Sequence, residues 1–270
     1  MSTRHDILYL SHGGGPLPLL GDEGHADLVA SLRGIADRIP RPDAILVISA
    51  HWEEATPGVT AGASPGMIYD YYGFPPETYQ IQYPAPGHPE LSRRVAKTLQ
   101  AQGIPAALDE QRGYDHGLYV PLMLMYSDAD IPCVQLSLLE SLDAEQHLRL
   151  GEAVRGLDHD NLLVIGSGMS FHNLRALRQP DSDAVRDQNL GFEEWLISTC
   201  SDDGITEADR RAALIDWQSA PAARFCHPRE EHLLPLHVCV GMAGRACDEV
   251  MRVPVMGRMT SMYFWSRDAA

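Results

Sequence analysis

The chain has 270 residues, 44% of them hydrophobic, and a formal net charge of −16 at pH 7. That length and apolar content suit one globular catalytic domain spanning residues 1–270, with a sizeable core. A surface this acidic repels phosphate backbones and anionic headgroups, which argues against nucleic acid and membrane partners.

Five cysteines are present and no C-x-x-C occurs. The odd count argues against a disulfide framework and against a cysteine zinc finger. Reduced thiols point to a cytoplasmic protein. The N-terminal residues lack an apolar stretch of signal-peptide length, and no apolar run reaches the 18 or so residues of a membrane span.

In chain order, the first apolar run, residues 7–10, reads as a strand and leads into Ser11-His12-Gly13-Gly14-Gly15-Pro16. A helix over 26–38 follows, then a strand over 44–49 that meets Ala50-His51-Trp52. Residues 58–88 are irregular and hold Tyr69, Tyr71, Tyr72, Phe74, Tyr79 and Tyr83, too aromatic for a disordered segment. A loop of this length is functional, as a cover over a site or as a subunit contact. Leu91, Val95 and Leu99 recur at four-residue spacing and predict a helix over 89–102. Further helices are expected over 118–126, 144–155, 187–199, 207–216 and 233–242, and strands over 133–137, 162–165 and 259–265. Short apolar runs alternating with amphipathic stretches predict an α/β fold with a largely parallel central sheet flanked by helices.

Three of these strands end at or near a histidine: His12, His51 and, four residues after Gly166-Ser167-Gly168, His172. Ligands of open α/β sheets bind outside the carboxyl ends of the strands, so three imidazoles there predict one shared site. His12 and His51 with a third ligand from Glu230, Glu231 or His232 would make a three-ligand face with open positions, as in a non-haem Fe(II) oxygenase or a catalytic zinc site. Glu230 and Glu231 lie at an expected helix start, where acidic residues also complement the helix dipole. His232 and His237 are five apart and point to different sides of a helix, which makes His237 a core residue. His88 opens the 89–102 helix. His5, His25, His147 and His159 sit in tail or polar contexts and are expected to have no role. Asp115 either caps the following helix or flanks a His116 that projects into the pocket as an acid/base group. His172 is either acid/base or ligand.

A competing class has its own motifs. His12-Gly13-Gly14-Gly15 matches an esterase oxyanion loop, and Gly62-Ala63-Ser64-Pro65-Gly66 matches the G-x-S-x-G elbow, which requires a helix directly after the serine. The alternatives are therefore a serine hydrolase using Ser64 or a zinc-dependent hydrolase.

Taken together, Ser11-His12-Gly13, Ser49-Ala50-His51-Trp52, Tyr69-Asp70-Tyr71-Tyr72-Gly73-Phe74-Pro75 with Tyr83-Pro84-Ala85-Pro86-Gly87, Asp115-His116-Gly117, Gly166-Ser167-Gly168 through His172-Asn173-Leu174, and His227-Pro228-Arg229-Glu230-Glu231-His232-Leu233 occur in order. In this set the chain resembles the class III extradiol ring-cleaving dioxygenases, specifically the 4,5-DOPA dioxygenase type. The resemblance implies a metal held by His12, His51 and His232, with acid/base roles for His172 and His116. It implies Fe(II) for turnover, with Zn(II) able to occupy the site. The implied partners are a small-molecule catechol and O2, and the implied product is a muconic semialdehyde. Tyr72 and Phe74 are the expected substrate contacts. A homo-oligomer is compatible with the aromatic loop.

Overall fold

The computed structural model describes residues 5–267. Eight strands form one sheet: β1 (Asp6–Ser11), β2 (Ala44–Glu54), β3 (Gly58–Thr60), β4 (Ala107–Asp109), β5 (Cys133–Leu139), β6 (Leu162–Gly168), β7 (Glu249–Val255) and β8 (Arg258–Trp265). Their spatial order is β4-β3-β5-β2-β6-β1-β8-β7. The central four, β5-β2-β6-β1, are parallel, and antiparallel pairings join β3 and β8 to them.

The central strands are apolar on both faces because both are covered. Ile7 and Tyr9 of β1 belong to one core and Leu8 and Leu10 to the other; Leu46 and Ile48 of β2 alternate likewise with Ile45 and Val47. The helices are α1 (Ala26–Ala36), α2 (Pro89–Ala101), α3 (His116–Met125), α4 (Ala144–Val154), α5 (Leu174–Leu177), α6 (Asp183–Ser201), α7 (Glu207–Ile215), α8 (Ala223–Cys226) and α9 (Leu234–Ala243). Leu28 and Leu32 of α1 pack with Leu118 and Leu122 of α3 on one face. Residues of α2, α4, α6 and α9 build the core on the other. In α2, Leu91, Val95 and Leu99 are fully buried, each worth about 2 kcal/mol of transfer free energy. Among the described residues no helix is long and apolar enough to cross a membrane. All five cysteines are buried and free.

Several expectations need correction. The second strand does not stop before His51 but runs on to Glu54, with its register to β5 shifting between Ile48 and Glu53. Such a bulge re-aims side chains, here those of residues 49–52. The third helix begins at His116 rather than at 118, and α6 starts at Asp183 rather than at 187. Strands β3, β4 and β7 and helices α5 and α8 were not anticipated. β7 carries Pro254, tolerated because this strand lies at the sheet edge. His5, His25 and His147 are buried rather than on the surface, each hydrogen-bonded by a ring nitrogen. His237 is a core residue as expected, bonded to the Leu214 carbonyl at 2.9 Å, and the His88 side chain caps α2 at the amide of Leu91.

Candidate active site

Beyond the ends of β1, β2 and β6 lies a cleft of about 400 Å³ whose lining includes His12, His51, His116, His172 and His232. The end of β6 holds two of these directly. The Gly168 carbonyl accepts the His12 amide at 3.1 Å, and the Met169 amide donates to the His232 carbonyl at 3.0 Å. A Cβ at Gly168 would collide with that His232 carbonyl, so glycine lets the loop before α9 lie on the strand end. The Tyr9 hydroxyl donates to the same carbonyl at 2.9 Å. His116 is placed by the start of α3. Pro121 has no N–H to offer the Gly117 carbonyl one helical turn back, and the Ser167 hydroxyl of β6 donates to it instead at 2.5 Å.

His12, His51 and His232 form a nearly equilateral set, with ring centroids 4.8, 5.1 and 4.9 Å apart. The other two imidazoles lie against its corners: His116 is 3.9 Å from His51 and His172 is 3.4 Å from His232. By donor atoms the grouping differs. Those of His12, His51 and His116 fall within 4.8 Å of one another, as do those of His172, Glu231 and His232.

The oxygens that face each Nδ1 bear on the tautomers. His12 Nδ1 donates to the Gly13 carbonyl at 3.0 Å. His116 directs Nδ1 to Asp70 Oδ1 at 2.8 Å, and His51 Nδ1 lies 3.3 Å from the other oxygen of that carboxylate. His232 and His172 direct Nδ1 to Glu231 Oε1 at 2.9 and 3.1 Å. A carbonyl or carboxylate oxygen only accepts, so Nδ1 of His12, His116 and His232 carries the proton and their Nε2 keeps a lone pair. His12 Nε2 and His51 Nε2 stand 3.2 Å apart. With Nδ1 protonated on both rings, the two lone pairs repel unless a cation sits between them. Nitrogens bound to one ion at about 2.1 Å in tetrahedral or octahedral geometry lie about 3.0–3.4 Å apart, so the residues fit a bound metal. Carboxylate or carbonyl partners on Nδ1 are the usual second layer of imidazole metal sites.

Electrostatics favour the same state. Burial and the neighbouring imidazoles hold His12 and His51 well below the ordinary histidine range, and burial takes His232 down to about 3. Burial alone would raise Glu231, but hydrogen bonds from His172 and His232 bring it well below the usual carboxylate range. Asp70 behaves alike, with burial opposed and outweighed by His116. The rings of His12, His51 and His232 therefore stay neutral and the two carboxylates charged.

All five histidines singled out from the sequence meet in this cleft, and Tyr72 and Phe74 also line it. The aromatic loop is internally packed: Tyr71 donates to the Thr78 carbonyl and Tyr69 to that of Ile81, both at 2.7 Å. Tyr72 is 92% exposed at its rim. Asp70 was not anticipated, nor was Glu231 as a shared acceptor for two histidines. Asp115 opens α3 without a side-chain cap; its buried carboxylate accepts instead from Ser49 Oγ at 2.7 Å, Gln135 Nε2 at 2.9 Å and Arg112 Nη2 at 3.0 Å. His25 holds the glycine turn, accepting the Gly14 amide at 3.0 Å while donating to Asp22 at 2.6 Å. No helix follows Ser64, which is exposed, so residues 62–66 do not form a nucleophile elbow.

Residues 6–262 match the family described as the catalytic LigB subunit of aromatic ring-opening dioxygenase. Dioxygenase tasH of Hapsidospora irregularis is 43% identical over 254 residues, 88% of this chain and 78% of that one. The 4,5-DOPA dioxygenase extradiol of Beta vulgaris is 38% identical, covering 88% of this chain and 87% of its own. That of Escherichia coli (strain K12) is 35% identical, covering 95% and 91%. An uncharacterized protein of Escherichia coli K12 with a known crystal structure superposes with a TM-score of 0.75 at 30% identity, covering 96% of this chain and 98% of that one.

Proposed function

Because the chain belongs to the LigB family of extradiol aromatic ring-opening dioxygenases, we propose that it opens the ring of a catechol with O2, using a metal held by His12, His51 and His232. The observation that carries the metal assignment is the 3.2 Å approach of His12 Nε2 and His51 Nε2. Fe(II) in that position supplies the Lewis acidity that binds and acidifies both catechol hydroxyls and the redox chemistry that O2 requires; Zn(II) suits the same donors without that redox chemistry.

The protein groups have distinct tasks. His172 has Nδ1 committed to Glu231, so Nε2 is its free base and takes a proton from a catechol hydroxyl. The charge of Glu231 stabilises the imidazolium that results. His116, oriented by Asp70, contacts the substrate oxygens from the opposite side. Tyr72 and Phe74 flank the ring, and the imidazole floor of the cleft fixes it relative to the bound O2, which supplies proximity worth several kcal/mol. The product is a muconic semialdehyde.

A second ligand set, with His116 in place of His232, is favoured by the 4.8 Å grouping of the His12, His51 and His116 donor atoms. The overall reading is tested by metal analysis, anaerobic Fe(II) reconstitution, and exposure to a catechol and air. A yellow ring-opened product that requires iron is the expected result. Iron-independent activity abolished by a serine-directed phosphonate would overturn it.

A further inference from the structure

Arg178 is the one arginine or lysine, among the described residues, that lines the cleft. It directly follows α5, which places Leu174, Leu177 and Arg178 on one lip, while Tyr72 and Phe74 form the aromatic side. The turn carrying Arg178 is anchored from below. The buried Arg258 donates to the Ala176 carbonyl at 3.1 Å and to that of Gln179 at 3.2 Å, bracketing residue 178. Asn173 caps α5 and donates to the Phe225 carbonyl at 2.7 Å. Asp181, the nearest carboxylate along the chain, is taken by Arg186 at 2.6 Å and by Arg258 at 2.9 Å. The backbone that carries Arg178 is thus fixed at the lip of the cleft, and the exposed guanidinium has no acidic partner among the described residues.

We propose that Arg178 is a specificity-determining residue that pairs with a carboxylate on the side chain of the catechol. The assignment rests on the ring-opening reading above. The lining of the cleft supplies the three kinds of contact such a ligand needs: imidazoles for the diol, the apolar Leu174, Leu177 and Phe74 for a short spacer, and a planar guanidinium for the acid. About 400 Å³ accommodates a molecule of this size. The guanidinium fork matches a carboxylate in geometry as an ammonium does not. On a chain of net charge −16 an anionic substrate is repelled unless a local cation receives it.

The test uses the Fe(II)-loaded full chain with 3,4-dihydroxyphenylpropanoate and its methyl ester, which replaces the charge at that end by a neutral ester methyl. Ring opening is measured in air and binding by anaerobic calorimetry. The wild-type protein is expected to favour the acid over the ester by about tenfold, in KM and in Kd. Arg178→Gln should bring that ratio close to one, Arg178→Glu should invert it, and Arg178→Lys should restore part of it. Metal content and near-ultraviolet circular dichroism report whether each variant is folded. A wild-type ratio near one, or a ratio that Arg178→Gln leaves intact, overturns the proposal. Ring opening with an Arg178-independent ratio refutes Arg178 and leaves the dioxygenase reading standing. An Arg178-dependent binding ratio without ring opening does the reverse.

Discussion

His172 lies flat against His232, with ring centroids 3.4 Å apart and planes inclined by 16°. Both turn Nδ1 toward one oxygen, Glu231 Oε1, at 3.1 and 2.9 Å. Two stacked imidazolium ions would repel strongly, so the pair has room for one positive charge at a time. With the His232 lone pair given to a metal, His172 is the ring left to accept a proton. On the proposed ligand set, stacking would divide two chemically identical side chains into a ligand and a base.

That division predicts the metal content of variants. His12→Ala, His51→Ala and His232→Ala should each fall well below one metal per chain after reconstitution, while His116→Ala retains most of it. Elemental analysis of the purified variants decides the third ligand. Full occupancy in His232→Ala together with loss in His116→Ala would transfer the role to His116.

Glu231 should act on the metal without touching it. Glu231→Gln keeps an acceptor but loses the charge that makes the His232 lone pair more basic, and metal affinity is expected to drop about 10–100-fold. Competition against a chelator of known affinity measures this. An unchanged affinity would mean that the carboxylate serves only His172.

Proton transfer separates from metal binding in His172→Ala. A positioned base contributes about 10²–10⁴-fold. The variant should lose that much in kcat with its iron retained, because the interaction strengthens in the transition state. His116→Ala should be the milder lesion. A metal-free His172→Ala would make His172 a ligand, and wild-type turnover in both variants would remove the acid/base assignment.

A fourth prediction concerns pH. Glu193 of α6 is buried beneath the site, where its carboxyl accepts from Ser170 Oγ at 2.6 Å and from Ser261 Oγ. Burial pushes it up from 4.5 to about 7, against the pull of those hydroxyls. Between those two pH values the folded protein keeps a proton that the unfolded chain has released, so stability falls as pH rises through the window. Glu193→Gln carries no such proton and should lose less stability between pH 5 and pH 7.5, by on the order of 2 kcal/mol. Denaturant unfolding of both proteins at the two pH values measures the difference. Parallel losses would show that Glu193 is already ionised in the folded state.

The central sheet was legible in the sequence because its strands are buried on both faces. Residues 44–49 and 162–165 are unbroken apolar runs, and few other structures suit such runs. The edge strand β7 was not legible: Val253 and Val255 are its buried residues, and Pro254 interrupts the ladder where no neighbour needs it. Histidines at strand ends marked the site because loops there are where an α/β sheet exposes chemistry. The buried His25 and His147 show the limit of that reading, since local polarity says nothing of a partner such as Asp22 or the Leu139 amide.

Which residue types meet at the site was therefore written into the chain, as histidines placed just beyond apolar strands. How they divide the work was decided by tertiary contacts. Asp70 reaches His116 across 46 residues, and the carbonyl freed by Pro121 is met by Ser167 of another strand. A tautomer is set by the atom that faces Nδ1, and that atom arrives through folding, from a distant loop as readily as from the adjacent residue. Local sequence carries propensity and periodicity; it does not carry the distance between Nε2 of His12 and Nε2 of His51, on which the metal site depends.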